Sequence, residues 1–309
     1  MPQKRKLSCD VVKLTDETDF YPAISPTRPE LNQSGQVVLI SGGGTGIGKA
    51  IAQSFVIAFA SHVAIIGRRL EILETTAAEL RGMAASSTQV LTYQGDMTNK
   101  SDLDSVFDDL ASKGLGVDVL VLNAAKFPIP GSLMDHGMDE LWEHMEANVR
   151  GPMLLTERFL KQKTEKKKYL INVSSAAIHQ EQHPLAEGLA SYVLSKSAGT
   201  HFIQLLARQI PREQLQVVTM HPGTVFTDSL QNIGISEDMV PCDKVDLPGA
   251  FAVWAATEEA AFVHNRVVWA TWDVTELATS DIRAYLNEDE TFLRLGVIGF
   301  DLSKRAKGY

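Results

Sequence analysis

The stretch Val37-Val-Leu-Ile-Ser-Gly-Gly-Gly-Thr-Gly-Ile-Gly-Lys-Ala50 decides how the rest of the chain is organised. Four apolar residues, Val37 to Ile40, run without a polar interruption, as in a buried parallel strand. Glycines at positions 42, 43, 44, 46 and 48 follow, and then an apolar, alanine-rich stretch to Ile57. The pattern predicts a strand, a tight glycine turn and a helix.

A glycine turn in this setting suits a bound pyrophosphate. Without Cβ atoms the backbone can take positive φ angles and approach phosphates closely, and the free N–H groups of the helix point at their charge. The turn therefore predicts dinucleotide binding. An ordinary glycine-rich turn is the alternative, and the strand before it and the helix after it argue against that interpretation.

Composition indicates a soluble globular protein that acts on small molecules. The 309 residues can form one large α/β domain, and 44% hydrophobic and 22% charged residues are ordinary values for such a fold. The net charge of −9 argues against a nucleic-acid or anionic-membrane surface. Cys9 and Cys242 form neither a C-x-x-C pair nor a His/Cys cluster, so no disulfide framework or metal site is expected. The expected location is the cytoplasm.

Beyond the first strand, strand-like and helix-like segments alternate. Strands are predicted at Val37–Ser41, His62–Gly67, Val90–Gln94, Val117–Asn123, Tyr169–Ser175, Gln216–His221 and Val267–Thr271. Helices are predicted at about 46–60, 70–84, 99–113, 137–163, 189–210 and 247–256. This alternation predicts a single doubly wound (Rossmann) parallel sheet of about seven strands with helices on both faces.

The remaining segments flank or interrupt this catalytic domain, which we place at 37–275. Residues 1–36 contain three prolines and little periodicity, so an extended arm is expected, either lying across the domain or mobile. The polar segment at about 228–247 is the expected substrate lid. Residues 276–309 form a C-terminal extension.

The end of the second predicted strand indicates which dinucleotide is bound. An NAD site usually has an acidic residue here, but the sequence has Gly67 followed by Arg68 and Arg69. Guanidinium groups can hold a 2′-phosphate, so we expect NADP(H), with Arg68 as the stronger candidate. Solvated arginines that open the next helix are the alternative. Asp96 and Asn123, after the third and fourth strands, are candidate cofactor contacts or helix caps.

A candidate acid/base group lies on the helix predicted at 189–210. Tyr192 and Lys196 are four residues apart and so share one helical face. A phenol normally loses its proton near pH 10, and a neighbouring ammonium brings that pKa closer to neutrality. The fifth strand ends near Ser175, whose hydroxyl can hold a substrate oxygen, and Asn148 is a candidate buried amide in the middle of a helix.

Taken together, these motifs resemble the classical short-chain dehydrogenase/reductase family over about residues 35–275. The resemblance rests on Ser41-Gly42-x-x-x-Gly46-Ile47-Gly48, Asn123-Ala-Ala, Asn148, Ser175, Tyr192-x-x-x-Lys196 and Pro222-Gly223-Thr-Val-Phe-Thr227. It implies that Tyr192 is the acid/base, that Lys196 lowers its pKa and binds the nicotinamide ribose, that Ser175 positions the carbonyl and that Asn148 orders a relay water. The expected cofactor contacts are Ser41, Gly42, Thr45, Gly46, Ile47, Gly48, Arg68, Arg69, Asp96, Asn123, Tyr192, Lys196, Pro222, Gly223 and Thr227.

The sequence departs from the family pattern at three places. Ala125 replaces the usual glycine after Asn-Ala, Ser41 replaces the usual threonine, and Tyr192 lies 17 positions after Ser175, several more than usual. The extra residues fall within 178–187, where His179 and His183 could touch a polar substrate. The stretches Tyr21–Pro29 and Trp269–Asp273 resemble fungal members and suggest a secondary-metabolite ketone or polyol-type substrate.

The expected reaction is hydride transfer between NADP(H) and a carbonyl or secondary alcohol of a small molecule. Two alternatives stay open: a non-catalytic NADP(H)-binding protein of the same fold, and an enzyme that couples reduction to cyclisation or dehydration. The family resemblance also implies a homodimer or homotetramer formed through the helices at 137–163 and 189–210.

Overall fold

One parallel sheet organises the protein, for which a computed structural model describes residues 13–85, 87–164, 166–179, 188–232, 234 and 236–296. Within these residues the strands are β1 (Val37–Ser41), β2 (His62–Gly67), β3 (Gln89–Gln94), β4 (Val119–Leu122), β5 (Lys168–Val173), β6 (Leu215–His221) and β7 (Val267–Trp269). Their order is β3-β2-β1-β4-β5-β6-β7, and every neighbouring pair is parallel. The predicted doubly wound fold is confirmed.

Helices cover both faces of this sheet. In the described residues they are α1 (Gly46–Ile57), α2 (Leu70–Met83), α3 (Lys100–Ser112), α4 (Leu133–Met145), α5 (Gly151–Lys161), α6 (Ala190–Ala207), α7 (Asp228–Gln231), α8 (Asp246–Ala255), α9 (Val274–Thr279) and α10 (Asp281–Glu288). Short 3-10 segments lie at Pro22–Ile24, Pro29–Leu31, Ala176–Ile178 and Glu258–Val263. None of the described helices is long and apolar enough to cross a bilayer.

The two faces of the sheet bury separate hydrophobic clusters. Successive side chains of a strand point to opposite faces, so Val38 and Ile40 pack with α1, α2 and α8, whereas Leu39 packs with α3, α5 and α6. Phe55 of α1 and Phe159 of α5 are fully buried on these two faces. Each such ring contributes about 1.5–3 kcal/mol by leaving water, which fixes the sheet against its helices.

The helix predicted at 137–163 is divided in the structure. Gly137 has φ +79°, a π-helical turn occupies Glu146–Arg150, and α5 begins at Gly151. A π turn inserts one extra residue per turn, which the apolar periodicity of the sequence does not report. Asn148 therefore lies in an irregular turn between two helices.

The described part of the N-terminal arm packs against the domain. Ile24 and Leu31 are fully buried, and Asp16 forms an antiparallel bridge with Trp272. The Lys244 amide donates to the carbonyl oxygen of Thr18 at 2.7 Å. The arm thus connects the segment after β7 with the base of the predicted lid.

Candidate active site

A cleft of about 1680 Å³ opens along the carboxyl edge of the sheet. It includes the point between β1 and β4 where the strand order reverses, which is where open α/β sheets bind ligands. Typical small-ligand pockets measure roughly 300–1,000 Å³, so the cleft has room for a cofactor and a substrate together. Every candidate catalytic or cofactor-binding residue named from the sequence lines it except Asn148, and of the two candidate substrate contacts in the enlarged loop, His179 does not line it and His183 lies outside the described residues.

The glycine turn forms the floor of the cleft between β1 and α1. Gly42 and Gly46 have φ angles of +67° and +51°, which side chains rarely adopt. A Cβ on Gly48 would lie 2.2 Å from the carbonyl oxygen of Gly42. The turn and the first turn of the helix can be this close only because position 48 has no side chain, and the close approach forms a cradle for phosphate groups.

Ser41 and Asn123 join the two strands that flank the reversal point. The Ser41 hydroxyl accepts hydrogen bonds from the amides of Asn123 and Ala124 at 3.0 and 3.1 Å. The Asn123 side chain donates to the Ser41 carbonyl oxygen at 3.0 Å. The polar atoms of both residues are therefore used mainly to hold the ends of β1 and β4 together beneath the cleft.

Two exposed arginines border the end of the cleft where the sequence predicts that the adenosine half of the cofactor binds. Gly67 ends β2, and Arg68 and Arg69 follow it, with Arg69 at the N-cap of α2. Neither guanidinium group forms an ion pair or a hydrogen bond with the described part of the chain. Both are therefore available to an anionic ligand.

Asp96 uses one carboxylate oxygen to stabilise its own turn. Its Oδ1 accepts from the amide and the hydroxyl of Thr98, both at 2.8 Å. The residue is half-buried and lines the cleft between the glycine turn and the π turn. Its second oxygen, Oδ2, has no partner among the described residues, so it remains free to accept a hydrogen bond from a ligand.

Tyr192, Ser175 and Lys196 meet at the other end of the cleft. The pair on α6 faces the end of β5, where the Lys196 ammonium donates to the carbonyl oxygen of Val173 at 2.7 Å. Lys196 Nζ lies 6.0 Å from the centroid of the Tyr192 ring. The Ser175 side chain forms a hydrogen bond that acts on the Tyr192 phenol, and it also caps the 3-10 segment through the Ala177 amide at 3.2 Å.

Burial shifts the pKa values of both Tyr192 and Lys196. It raises the pKa of Tyr192 to about 12, against a smaller lowering by the hydrogen bond with Ser175. Burial also lowers the pKa of Lys196 to about 8. The Lys196 ammonium donates to the Val173 carbonyl and lies on the same side of the cleft as the Tyr192 ring.

Asn148 supports the site through the π turn. Its amide oxygen accepts from the Lys126 amide at 2.7 Å, and its amide nitrogen donates to the Lys126 carbonyl and to Ser195 Oγ, each at 3.0 Å. The side chain is buried, and it links the segment after β4 to α6. Both of its N–H hydrogens are used, and the oxygen keeps a second lone pair.

The segment after β6 folds back over the glycine turn. Gly223 has φ +89°, and Asp243 Oδ2 accepts from the Thr224 amide at 2.7 Å. The Thr227 methyl group would be 3.3 Å from a Cβ on Gly46, so it lies directly against the turn. Residues 228–232, 240 and 241 of the predicted lid line the cleft, whereas Ile233 and Ile235 lie outside the described residues.

Two aromatic residues of this cleft were not predicted from the sequence. The Phe127 ring lies 4.7 Å from the Tyr192 ring, centroid to centroid, and its only sequence signal is that it closely follows Asn123-Ala-Ala. His221 ends β6 and contacts Trp269 edge to face at 4.9 Å, and its position just before Pro222 could have identified it. His179 lies 5.7 Å from Trp269, while residues 180–187, including His183, lie outside the described residues.

Comparison with known proteins agrees with this architecture. The family profile for short chain dehydrogenase matches residues 36–238, more than half of the chain. A "Short chain dehydrogenase/reductase" of Claviceps purpurea (strain 20.1) is 34% identical over 280 residues, which cover 90% of this chain and 91% of the relative.

Solved structures share the fold. A 3-oxoacyl-[acyl-carrier protein] reductase of Brucella melitensis with bound NAD superposes with a TM-score of 0.68 and 24% identity, covering 84% of this chain and 97% of its own. A short chain dehydrogenase of Burkholderia cenocepacia J2315 in complex with NADP has a TM-score of 0.67 and 22% identity, covering 79% and 99%. With the profile match and the fungal relative, the chain belongs to the short-chain dehydrogenase/reductase family of oxidoreductases, which use nicotinamide dinucleotides.

Proposed function

We propose that this protein is an NADP(H)-dependent oxidoreductase that transfers hydride between the nicotinamide and a carbonyl or secondary alcohol of a small molecule. The observation that carries the proposal is the meeting of a phenol, a hydroxyl and an ammonium, from Tyr192, Ser175 and Lys196, in the same cleft as the glycine turn. The bound cofactor would supply or accept the hydride. The protein side chains supply the proton and hold the reacting oxygen.

The preference for NADP(H) is supported by charge at the end of β2. Gly67 offers no carboxylate to a ribose 2′-hydroxyl, and the guanidinium groups of Arg68 and Arg69 have no ion-pair partner in the described chain. A 2′-phosphate would supply the missing anion, and an arginine can hold it through two parallel hydrogen bonds. Arg68 is the proposed principal contact.

Tyr192 is the proposed acid/base. Its phenol, whose pKa burial raises to about 12, carries its proton at neutral pH, which is the form needed to give a proton to a carbonyl oxygen during reduction. Ser175 would donate a hydrogen bond to the same oxygen as negative charge develops there. The ammonium of Lys196, held near the Tyr192 ring, would stabilise the phenolate left after proton transfer and bind the nicotinamide ribose.

Asn148 is proposed to serve the proton path indirectly. Because both of its N–H hydrogens are engaged, a relay water would donate to the remaining lone pair of the amide oxygen. The same hydrogen bonds fix the segment that places Phe127 against Tyr192. The amide would therefore position the phenol as well as a water molecule.

We also propose a cytoplasmic homodimer or homotetramer. Met138 and Trp142 of α4 and Leu194 and Leu205 of α6 have between 47% and 64% of their surface exposed, which is high for large apolar side chains on two neighbouring helices. Pairing of these helices with a second copy would cover them. Sedimentation velocity of the purified chain tests the assembly, and a monomer at micromolar concentration would contradict it.

The activity is tested by following NADPH consumption with a panel of ketones and aldehydes. Tyr192→Phe should abolish turnover while leaving NADPH affinity largely intact, because only the proton donor is lost. Ser175→Ala should lower turnover about 10²-fold or more, as removal of an oxyanion donor does. Ser174→Ala is the matched control, since the Ser174 hydroxyl bonds to Thr200 at 2.7 Å, and it should retain activity.

Normal turnover by Tyr192→Phe would contradict the mechanism. Binding of NADPH without consumption of any carbonyl compound would favour the non-catalytic alternative. A product whose mass shows loss of water or ring closure after reduction would favour the coupled enzyme.

A further inference from the structure

Three aromatic side chains form one wall of the cleft beyond the proposed proton donor. We call His221, Trp269 and Trp272 the aromatic wall. The Trp269 and Trp272 rings are stacked with an interplanar angle of 8° and a centroid distance of 5.6 Å, and His221 meets Trp269 edge to face. His221 and Trp269 line the cleft directly.

The sheet places this wall in line with the proposed reacting centre. Ser175 follows β5, His221 ends β6 and Trp269 ends β7, and His221 is the register partner of Trp269. Neighbouring strands are about 4.8 Å apart, so two strand spacings, about 10 Å, separate the strand of Ser175 from that of Trp269. A molecule with its carbonyl at Ser175 and a ring system extending along this edge would reach the indole.

The wall carries no charge at physiological pH. Burial lowers the pKa of His221 to about 3, and neither ring nitrogen has a hydrogen-bond partner among the described residues. The pKa of the neighbouring His179, whose ring centroid lies 5.7 Å from that of Trp269, is also lowered from its ordinary value by partial desolvation. A surface of neutral rings favours an uncharged, flat partner, because aromatic pairs prefer offset-stacked and edge-to-face contacts.

Hydrogen bonds from the N-terminal arm hold the backbone that carries the aromatic wall. The Tyr21 hydroxyl donates to the Trp272 carbonyl oxygen at 3.1 Å and accepts from the Val274 amide at 2.7 Å. The Glu17 amide donates to the Thr271 carbonyl oxygen at 2.6 Å. Contacts with the N-terminal arm therefore fix the backbone that carries Trp272, and Trp272 in turn backs Trp269.

We infer that the substrate is a planar aromatic ketone with fused rings, bound with its ring system against Trp269 and His221. The inference deepens the proposed function and rests on it. Trp269 is then a specificity-determining residue, since it contacts the part of the substrate that does not react.

The test compares 2-tetralone with trans-2-decalone, which share a bicyclic skeleton but differ in having a benzene ring. Isothermal titration calorimetry with the full chain and NADP⁺ measures the dissociation constant of each ketone. An aromatic contact beyond simple burial corresponds to about three- to tenfold in affinity, so 2-tetralone should bind tighter by about that factor. Trp269→Phe keeps a ring and should retain the preference, whereas Trp269→Leu keeps an apolar side chain without a ring and should reduce the ratio toward one.

Circular dichroism melting shows whether each variant is folded. Equal binding of the two ketones by the wild-type chain would overturn the inference, and so would an unchanged ratio in folded Trp269→Leu. If that variant does not fold, the wild-type ratio and its retention in Trp269→Phe decide the question. Preferential binding of 2-tetralone without its reduction would support the role of the aromatic wall and contradict the proposed function. Reduction of both ketones with no preference in binding would support the proposed function and contradict the role of the aromatic wall.

Discussion

Substitution of Gly48 by alanine tests the contact on which the glycine turn depends. In Gly48→Ala the new Cβ would lie 2.2 Å from the carbonyl oxygen of Gly42 and 2.5 Å from Asn123 Nδ2. Non-bonded heavy atoms pack favourably at about 3.5–4.0 Å, so the turn and α1 must separate by about 1 Å. The nearest atom belongs to the backbone, and no side-chain rotation can relieve the clash.

Gly44→Ala in the same turn is the matched control. Its Cβ would be 3.3 Å from Ile72 Cγ2 and from Leu73 Cδ2, which are the ends of side chains and can move by a few tenths of an ångström. Its φ angle lies outside the positive region, so alanine fits without backbone strain. The two variants differ in where the methyl group points and not in its chemistry.

The expected loss of stability follows from these distances. Overpacking a close contact costs about 1–3 kcal/mol, and we place Gly48→Ala at the upper end because backbone must move. Alanine in the first turn of α1 regains up to about 1 kcal/mol of helix propensity. We therefore expect a net loss of about 2 kcal/mol in the free energy of unfolding for Gly48→Ala, and less than about 0.5 kcal/mol for Gly44→Ala.

Urea unfolding of the cofactor-free protein measures the free energy of unfolding of each variant. A fluorescence titration with NADPH measures the accompanying loss of cofactor affinity. Separation of the turn from α1 would misplace the helix amides that face the cleft, so affinity should fall more in Gly48→Ala than in Gly44→Ala. Equal unfolding free energies and equal affinities in the two variants would refute the reasoning, because the turn would then tolerate a side chain at position 48.

Three further predictions concern the cofactor, the buried ammonium and the arm. Arg68→Gln should weaken NADPH binding by about tenfold or more and leave NADH binding unchanged. Titration with each dinucleotide measures this, with Arg69→Gln titrated alongside for comparison. Equal losses of affinity for both dinucleotides would contradict the contact between Arg68 and the 2′-phosphate. The free energy of unfolding of the cofactor-free wild type should rise between pH 8 and 10.5 relative to that of Lys196→Met. The reason is that Lys196 releases its proton near pH 8 in the folded chain and keeps it to higher pH in the unfolded chain. Parallel curves of unfolding free energy against pH for the two proteins would contradict this prediction. Tyr21→Phe should lower the Tm by roughly 2–6 °C through loss of the hydroxyl that joins Trp272 to Val274, and an unchanged Tm in calorimetry would show that the arm does not hold the wall.

The sequence by itself determined the fold class and the placement of Tyr192 and Lys196 on one helical face. Strands buried on both faces need uninterrupted apolar runs such as Val37–Ile40, and the alternation of such runs with helical segments leaves one parallel architecture. Tyr192 and Lys196 share a helical face because their spacing is local. These features depend on neighbours along the chain, which is the information that periodicity contains.

The tertiary structure alone decided how distant residues combine. Ser41 and Asn123 line the cleft, and their hydrogen bonds to each other tie β1 to β4, a pairing that lies 82 residues apart along the chain. Burial by surrounding elements raises the pKa of Tyr192, and the local spacing of Tyr192 and Lys196 does not report that burial. The aromatic wall joins residues from β6, β7 and the segment that follows. The physical reason is that a hydrophobic pattern reports which face of an element is buried, whereas strand register and crossover packing determine which distant side chain lies against it.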